Sequence, residues 1–304
     1  MSQRPPVPSA ILAVRKLVDA DLDVFFTEPH LLDEPSAWFG HTPFARWIIR
    51  AVQPAVFVEL GTHAGVSYSA FCMEIKASGL GTQGFAIDTW EGDDQAGRYP
   101  ESVFENFKEF HAGNFSEFST LLRSSFDEAL PGFADGSIDL LHIDGLHTYE
   151  AVSHDFNSWH SKLSDRAVVL FHDIAERKNG FGVWKLWDEL KDRYPHFDFA
   201  HEHGLGVLAV GGSAPRDVLD LCRLEAPLAS KVRERFEQLG DRWRIQSENS
   251  RYQAVLKKEI DAGRSEITVD KLRSDQFDAR LLAFKNEIAS LEQRVADLQA
   301  RLMS

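Results

Sequence analysis

The sequence predicts an α/β fold in which a doubly wound, mostly parallel β-sheet is covered by helices on both faces. Three observations support this prediction. Short apolar runs of strand length alternate with helical patterns over the first two-thirds of the 304-residue chain. The runs are nearly continuous rather than alternating, which is typical of parallel strands buried on both faces. The alternation ends in two strand-like segments around a glycine-containing turn, which predicts an antiparallel hairpin at one edge of the sheet.

The individual elements follow in order. A helical lead-in at 11–52 is expected to pack over the mouth of the sheet. Strands are predicted at 55–60, 84–88, 138–143 and 167–171. A helix follows the third strand, because five apolar residues at steps of three and four form one stripe: Tyr149, Val152, Phe156, Trp159 and Leu163. A second helix at 183–194 is ended by Pro195, and the closing hairpin spans 197–211.

The C-terminal region has a different pattern. Apolar residues recur there at alternating steps of four and three, which is the seam of a left-handed coiled coil: Phe277, Leu281, Phe284, Ile288, Leu291, Val295, Leu298 and Leu302. Self-association through this seam is the favoured interpretation, and a lone amphipathic helix folded back on the domain is the alternative. The predicted organisation is therefore a helical cap at 1–52, an α/β domain at 53–212, and a helical linker with a coiled coil at 213–304.

Charge and composition exclude several classes of protein. The net charge is −14, and residues 213–304 carry +1, so −15 lies on the first 212 residues. Such an acidic domain would repel a phosphate backbone, so nucleic acid is not an expected partner. No apolar stretch approaches the roughly 20 residues that a membrane span requires. The two cysteines, Cys72 and Cys222, form no disulfide framework, which indicates a reducing compartment such as the cytoplasm.

The turn after the first strand is the first candidate binding element. It reads Glu59-Leu-Gly-Thr-His-Ala-Gly, and such turns bind nucleotide-like ligands in doubly wound folds. A dinucleotide would need a second glycine where His63 stands, since a side chain there blocks the pyrophosphate. S-adenosylmethionine has no phosphate, so a bend at Gly61 and room at Gly65 suffice. We expect Glu59, Gly61, Thr62, His63 and Gly65 to form its site, with Glu59 attracting its amino group.

The second strand supplies a matching feature. It ends in Asp88, a carboxylate that can accept hydrogen bonds from both ribose hydroxyls. Trp90 follows two residues later and is a candidate to stack on adenine. Trp38 and Phe39 in the cap are further stacking candidates, for a sugar or adenine, and are equally compatible with the core.

The third and fourth strands each end in acids and histidines. These are Asp144 and His147 after the third, and His172 and Asp173 at the end of the fourth. Neighbouring strands would bring the four side chains together at the carboxyl edge of the sheet, where this architecture places its active site. Carboxylates suit Mg²⁺, and His147 could take a proton from a substrate hydroxyl. A hydrogen-bonded network without metal is the alternative, and His142 is expected to pack within the sheet.

Four segments together resemble a known family. They are 58–65 (VELGTHAG), 87–93 (IDTWEGD), 142–150 (HIDGLHTYE) and 171–174 (FHDI). In this order they resemble the methyltransferases related to macrocin O-methyltransferase and cephalosporin hydroxylase, over residues 35–212. The resemblance implies a class I, Rossmann-like methyltransferase fold with a seven-stranded sheet, S-adenosylmethionine as the methyl donor, and often Mg²⁺. It implies Asp144 and Asp173 as metal ligands and His147 as the general base. His172 stands where relatives with established metal sites have an acid, which leaves the third ligand open.

The expected reaction is methyl transfer to a hydroxyl of a sugar, glycoside or polysaccharide precursor. His147 and Asp144 are the expected catalytic residues, with Mg²⁺ on Asp144, His172 and Asp173. The resemblance also suggests glycosyltransferase partners. Two alternatives remain. One is a non-catalytic scaffold in a glycan-assembly complex. The other is a non-haem iron oxygenase, because His142, Asp144 and His172 mimic a set of two histidines and one carboxylate.

Overall fold

A computed structural model describes residues 26–93, 95–178 and 180–261. The predicted coiled-coil seam at 277–302 lies outside these residues. The chain divides into two compact units, 1–248 and 249–304. No described helix is long and apolar enough to cross a membrane.

The first unit contains one large sheet and one small ribbon. The nine strands among the described residues are β1 (Val56–Leu60), β2 (Gln83–Asp88), β3 (Gly92–Asp93), β4 (Gly97–Arg98), β5 (Ser119–Arg123), β6 (Ile138–Ile143), β7 (Leu163–His172), β8 (His196–Phe199) and β9 (Leu205–Ala209). The described α-helices are α1 (Thr42–Val52), α2 (Val66–Ala77), α3 (Glu101–Asn114), α4 (Phe126–Ala129), α5 (Tyr149–Trp159), α6 (Val183–Leu190), α7 (Arg216–Cys222) and α8 (Ala226–Asp261). Short 3₁₀ turns precede α1 at Phe39–His41 and follow α4 and α5.

The seven strands of the large sheet lie in the order β5-β2-β1-β6-β7-β9-β8. The first five are parallel, β9 is antiparallel to β7, and β8 pairs antiparallel with β9. The predicted doubly wound sheet with an antiparallel hairpin is therefore confirmed. From β1 the chain moves outward to β2 and β5, then crosses to β6 on the other side. This reversal opens a crevice between the carboxyl ends of β1 and β6, where such sheets bind ligands.

Both faces of the sheet are buried, which explains the continuous apolar runs. Adjacent residues of each strand belong to different hydrophobic clusters, as Phe57 and Val58 do in β1. One face packs against α1, α2, α7 and the first turns of α8, and the other against α5 and α6. α7 and the start of α8, which follow residue 212, thus share the core of the α/β unit.

Two buried elements fix the cap against this core. The Glu74 carboxylate of α2 accepts hydrogen bonds from Arg46 and Arg50 of α1, and the Glu74 side chain is fully buried. Gly240 of α8 lies against the backbone of Gly40, so close that a Cβ on Gly240 would meet the Gly40 carbonyl oxygen at 1.9 Å. The cap is therefore held between α2 and α8, and α1 packs on one face of the sheet.

Candidate active site

The turn after β1 is shaped by its glycines and by the neighbouring strand. Gly61 has φ +89° and Gly65, which begins α2, has φ +82°. A Cβ on Gly61 would lie 2.1 Å from the backbone oxygen of Asp144, at the end of β6. A Cβ on Gly65 would overlap the ring of Phe107. Both glycines are required by backbone conformation and by close neighbours, a reason independent of any ligand.

The carboxylate of Asp88 supports this turn from the adjacent strand. One of its oxygens accepts hydrogen bonds from the backbone N–H groups of Thr62 and His63, at 2.9 and 2.8 Å. The other accepts from the N–H of Trp90 at 2.7 Å. Asp88 remains half-buried and lines a recess of about 220 Å³, here named the Asp88 recess. Its oxygens therefore both shape the turn and face open space.

Trp90 does not occupy the predicted position. Its φ is +54°, its exposure is 1%, and its indole N–H donates to the backbone carbonyl of His63. The ring packs against Phe104 and is not part of the Asp88 recess. The ring is therefore not placed, in this structure, where it could stack on an adenine in the recess. The aromatic side chains of Tyr99 and Phe126 line the recess instead.

Glu59 is also more deeply placed than expected. Its side chain is fully buried, and one carboxylate oxygen lies 2.8 Å from Nδ1 of His142, which is buried too. Burial raises the pKa of Glu59, which the hydrogen bond from His142 partly offsets. Glu59 is not part of the surface of either recess. This geometry does not provide the predicted direct contact with a cofactor amino group.

Four side chains converge at the ends of β6 and β7, and we name them the acid–histidine cluster: Asp144, His147, His172 and Asp173. Nε2 of His147 lies 2.8 Å from Oδ2 of Asp173 and 3.6 Å from Oδ1 of Asp144. Nδ1 of His172 lies 3.2 Å from the same Asp144 oxygen and 3.5 Å from the same Asp173 oxygen. Each histidine therefore faces both carboxylates. Asp144, His147 and Asp173 form a group that could hold a metal ion.

The cluster shifts the pKa values of its members in opposite directions. Burial alone would raise the pKa of both carboxyl groups, but His172 and His147 hold Asp144 well below its usual range and Asp173 at about 2. Burial alone would lower the pKa of both imidazoles, but the carboxylates raise His147 to about 9 and His172 well above its usual value. Two negative carboxylates thus face two positive imidazoles, and a metal ion binding there would displace protons.

His142 is not part of this cluster. Its ring lies beneath the turn, bonded to Glu59 and edge-on to the Trp38 indole. The alternative of an iron oxygenase requires His142, Asp144 and His172 to face one ion. That set is not brought together, and the prediction that His142 packs within the sheet fits the geometry.

The cluster lines a second and larger recess of about 490 Å³, here named the acid–histidine recess. Trp38 forms part of its wall, and the Trp38 indole N–H donates to Oδ2 of Asp144 at 3.1 Å. Phe39 is 1% exposed and belongs to the core. The two recesses share six lining residues: Gly61, His63, Ala96, Tyr99, Asp144 and His147. A ligand in the Asp88 recess therefore lies directly beside one in the acid–histidine recess.

Two further segments hold His147 in place. Its backbone N–H donates to the Gln95 side chain at 3.0 Å, from the turn between β3 and β4. Its carbonyl accepts from the N–H of Gly182 at 2.7 Å. The Phe181 ring stacks on its imidazole with centroids 4.5 Å apart and planes within 6°. The sequence analysis missed Gln95, Tyr99 and Phe181, because they lie in segments without a helical or alternating pattern. The glycines at positions 92 and 97 were the signal that could have indicated a turn.

Comparison with known proteins agrees with this geometry. Residues 58–174 match the family model described as a methyltransferase domain. The uncharacterized protein y4gI of Sinorhizobium fredii is 46% identical over 214 residues, which cover 68% of this chain and 23% of that protein. A protein of Acanthamoeba polyphaga mimivirus is 29% identical over 124 residues, covering 40% and 52%. This chain thus spans between about a quarter and a half of the length of these curated relatives.

Among solved structures, the O-methyltransferase TomG from Streptomyces achromogenes is similar to this chain. That protein is involved in tomaymycin synthesis and was crystallised in complex with S-adenosylmethionine. The TM-score is 0.44 at 15% sequence identity, and the match covers 69% of this chain and 92% of TomG.

Proposed function

We propose that this chain is an S-adenosylmethionine-dependent O-methyltransferase of class I, which is supported by the match of residues 58–174 to a methyltransferase domain. It transfers the methyl group of S-adenosylmethionine to a hydroxyl group of a sugar, a glycoside or a polysaccharide precursor. The observation that carries the proposal is the adjacency of the two recesses. The adenosine part of the cofactor enters the Asp88 recess, and its methionine part lies along the turn of Thr62 and Gly65, which line the acid–histidine recess where the acceptor binds. The two recesses meet at Tyr99, Asp144 and His147.

The reaction is a direct displacement. The acceptor oxygen attacks the sulfonium methyl carbon, the carbon–sulfur bond breaks, and S-adenosylhomocysteine leaves. His147 takes the hydroxyl proton at Nε2, the atom that lies 2.8 Å from Asp173, once its own proton there has been displaced. Phe181 stacks on the imidazole of His147, and Gln95 and Gly182 hold its backbone, so the side chain is already restricted before the reaction. Alignment of the two reactants supplies most of the rate.

The donor set of the acid–histidine cluster fits a divalent cation. The carboxylates of Asp144 and Asp173 converge with imidazole nitrogens at distances of 2.8 to 3.6 Å, and oxygen ligands of this kind suit Mg²⁺. A bound ion would make the acceptor hydroxyl more acidic and stabilise the developing oxyanion. Asp144 and Asp173 would hold it, with a histidine as the third ligand.

Calorimetry with S-adenosylmethionine tests the cofactor site. We expect the intact protein to bind in the micromolar range, about −8 kcal/mol. Asp88→Ala should weaken binding severely, because it removes the ribose acceptor and the support of the Thr62–His63 turn. Asp135→Asn is the matched control, since this exposed carboxylate contacts only Lys162 among the residues described. Equal binding by wild type and Asp88→Ala would contradict the proposal. Weaker binding by Asp88→Ala supports it when the two proteins unfold at similar temperatures.

His147→Ala separates binding from chemistry. Cofactor affinity should stay within about threefold of wild type, because His147 meets the cofactor only at the shared wall, whereas methyl transfer to the acceptor is lost by roughly 10²–10⁴-fold. Undiminished transfer would place the base elsewhere. A non-catalytic scaffold predicts instead that the intact protein transfers no methyl group.

We also propose that the chain acts in the cytoplasm and forms a homo-oligomer through the heptad residues 277–302. We further propose that it binds glycosyltransferases. Replacing Leu291, a seam position, by lysine in the full chain should dissociate the oligomer in light-scattering measurements. Gln293→Lys, two residues away and off the seam, is the control. An unchanged molar mass for Leu291→Lys would contradict assembly through this seam.

A further inference from the structure

We propose that the acid–histidine cluster binds a divalent transition-metal ion, of the series from Mn²⁺ to Zn²⁺, through Asp144, Asp173 and His172, in preference to Mg²⁺. The proposal deepens the proposed function, on which its catalytic role rests, because the ion would lie beside the acceptor hydroxyl. Its two parts, the identity of the histidine ligand and the resulting choice of metal, follow from contacts on both sides of the His172 ring.

The first contact is with the two carboxylates. Nδ1 of His172 lies 3.2 Å from Oδ1 of Asp144 and 3.5 Å from Oδ2 of Asp173. Ligand atoms bound to one ion at about 2.0–2.2 Å lie about 3.0–3.5 Å from one another. Nδ1 of His172 is therefore already spaced from both carboxylates as the ligands of a single small ion are.

The second contact fixes the ring. Nε2 of His172 lies 3.0 Å from the backbone carbonyl oxygen of Glu202 in the turn between β8 and β9. A carbonyl oxygen only accepts, so Nε2 carries a hydrogen and donates it. When a metal ion displaces the proton on Nδ1, that nitrogen presents its lone pair to the ion that Asp144 and Asp173 hold. Histidines that bind metals commonly donate their other ring N–H to a carbonyl in this way.

Asp144 has a corresponding support. Its Oδ2 accepts the indole N–H of Trp38, which leaves Oδ1 directed toward the two histidines. Two of the three proposed ligands are thus oriented by a hydrogen bond from outside the cluster. Such outer contacts set the position and basicity of metal ligands.

His147 is the competing ligand, because its Nε2 reaches the same two oxygens. The two histidines differ at their other nitrogen. Nδ1 of His147 is buried without a hydrogen-bond partner among the described residues, whereas the corresponding nitrogen of His172 is bonded to Glu202. Both histidines line the acid–histidine recess, but the His147 side chain is 19% exposed and that of His172 only 5%, so His147 is the more accessible to an acceptor proton. The geometry therefore gives the ion to His172 and leaves His147 for the proton.

A nitrogen ligand changes which metal is preferred. Imidazole suits Mn²⁺, Fe²⁺, Co²⁺ and Zn²⁺, whereas Mg²⁺ takes oxygen ligands in strict octahedral geometry and keeps several waters. The side chains of His172 and Asp173 are only 5% and 8% exposed. Few waters can therefore reach the ion from their side, which adds to the disadvantage of Mg²⁺.

Calorimetry on the full-length protein tests the choice of metal, with Co²⁺ and Mg²⁺ as probes. We expect one Co²⁺ to bind at least about 100-fold more tightly than Mg²⁺. His172→Asp replaces nitrogen by oxygen, so the ratio of the Mg²⁺ to the Co²⁺ dissociation constant should fall at least about tenfold. An unchanged ratio in His172→Asp, or equal affinities for the two ions in wild type, would overturn the proposal.

Comparison of the two histidines tests the ligand assignment. His172→Asn should weaken Co²⁺ binding by roughly 100-fold or more, and His147→Asn by less than about threefold. The reverse order would overturn the assignment. Should a variant fail to fold, pulsed electron paramagnetic resonance of the Mn²⁺-loaded wild type gives the answer directly. We expect coupling to one coordinated imidazole nitrogen, and its absence would refute the proposal.

These outcomes are separable from those of the proposed function. S-adenosylmethionine binding depends on Asp88, which is not part of the acid–histidine recess. Co²⁺ binding without cofactor binding would contradict the methyltransferase proposal alone. Cofactor binding with no preference for Co²⁺ would contradict the metal proposal alone.

Discussion

The indole N–H of Trp38 donates to Oδ2 of Asp144 at 3.1 Å and joins residues 106 positions apart in the sequence. Trp38 lies in the cap, before α1, and Asp144 follows β6 at the centre of the sheet. The same indole packs edge-on against His142 and Phe71 beneath it. One side chain therefore belongs both to the core and to the wall of the site, the two roles that the sequence left as alternatives.

Trp38→Phe is expected to weaken the cluster, because it removes the indole donor together with one of the two fused rings and leaves a single aromatic ring in the core. We predict that Co²⁺ affinity falls by roughly tenfold and that the free energy of unfolding falls by about 1–3 kcal/mol, the range for a hydrogen bond to a charged group. Calorimetry and denaturant unfolding measure the two effects.

Trp159→Phe is the matched control for this change. Its indole is fully buried, and its N–H has no partner among the described residues. Removing that N–H should leave Co²⁺ affinity unchanged. Equal metal affinity in Trp38→Phe and wild type would show that Asp144 is held in position without the indole.

The sheet and the cluster were predictable, because both depend on local pattern. Near-continuous apolar runs identify strands buried on two faces, and acids at the ends of neighbouring parallel strands meet at one edge. Asp144 and Asp173 were located by this rule alone. The position of Trp90 was not predictable from a pattern of hydrophobicity: its backbone has a left-handed φ of +54°, and its ring packs against Phe104 and does not line the recess.

The remaining contacts depend on chain segments that meet only in three dimensions. Phe181 stacks on His147 from a loop without regular structure, and Gln95 contacts the same residue from the turn that joins β3 to β4. Neither segment has a helical or alternating period. The hydrogen bond from His172 goes to the backbone carbonyl of Glu202, and the amino-acid type at position 202 does not predict such a contact.

Gly61→Ala should be more damaging than a positive φ alone explains. A left-handed residue other than glycine costs about 1–2 kcal/mol, and at Gly61 the new Cβ would also meet the Asp144 carbonyl oxygen at 2.1 Å. Backbone at the end of β6 cannot move aside without displacing the cluster. We predict a loss of unfolding free energy well above about 2 kcal/mol, together with weaker S-adenosylmethionine binding in calorimetry.

Gly79→Ala is the control that isolates backbone strain. Gly79 has φ +61°, but a Cβ added there would have no neighbouring atom within 4 Å. Its replacement should cost only about 1 kcal/mol and leave cofactor binding intact. Similar losses at both positions would mean that the contact between Gly61 and Asp144 is not tight in solution.

Asp155 should make stability depend on pH. It is 7% exposed on α5, and burial raises its pKa from 3.8 to about 7, an increase that His154 opposes and Asp127 reinforces. The folded protein therefore binds this proton more tightly than the unfolded chain does. Between about pH 4 and 7 the unfolded state loses the proton first, so this residue lowers the free energy of unfolding as pH rises.

Asp155→Asn removes that dependence. Its stability relative to wild type should increase from pH 4 to 7, by at most about 4 kcal/mol at about 1.4 kcal/mol per pKa unit, and stay constant above. Urea unfolding at several pH values measures the difference. Asp192→Asn, at an exposed position, should show no such trend. A difference that does not grow with pH would mean that Asp155 is solvated.

Glu74→Gln should break the attachment of α1 to α2. The Glu74 side chain is fully buried and Arg46 is 8% exposed, so the substitution leaves a buried guanidinium without its counter-charge. Removing one partner of such a pair typically costs about 3–5 kcal/mol. We expect a loss of that size in the free energy of unfolding, measured with urea.

The second arginine provides the comparison that identifies the cause. Arg50 contacts the same carboxylate but is 36% exposed, so water can replace part of the interaction. Arg50→Gln should therefore cost no more than about 1 kcal/mol, because Arg46 still neutralises Glu74. If both substitutions cost the same free energy of unfolding, the penalty arises from the lost hydrogen bonds and not from the unpaired buried charge.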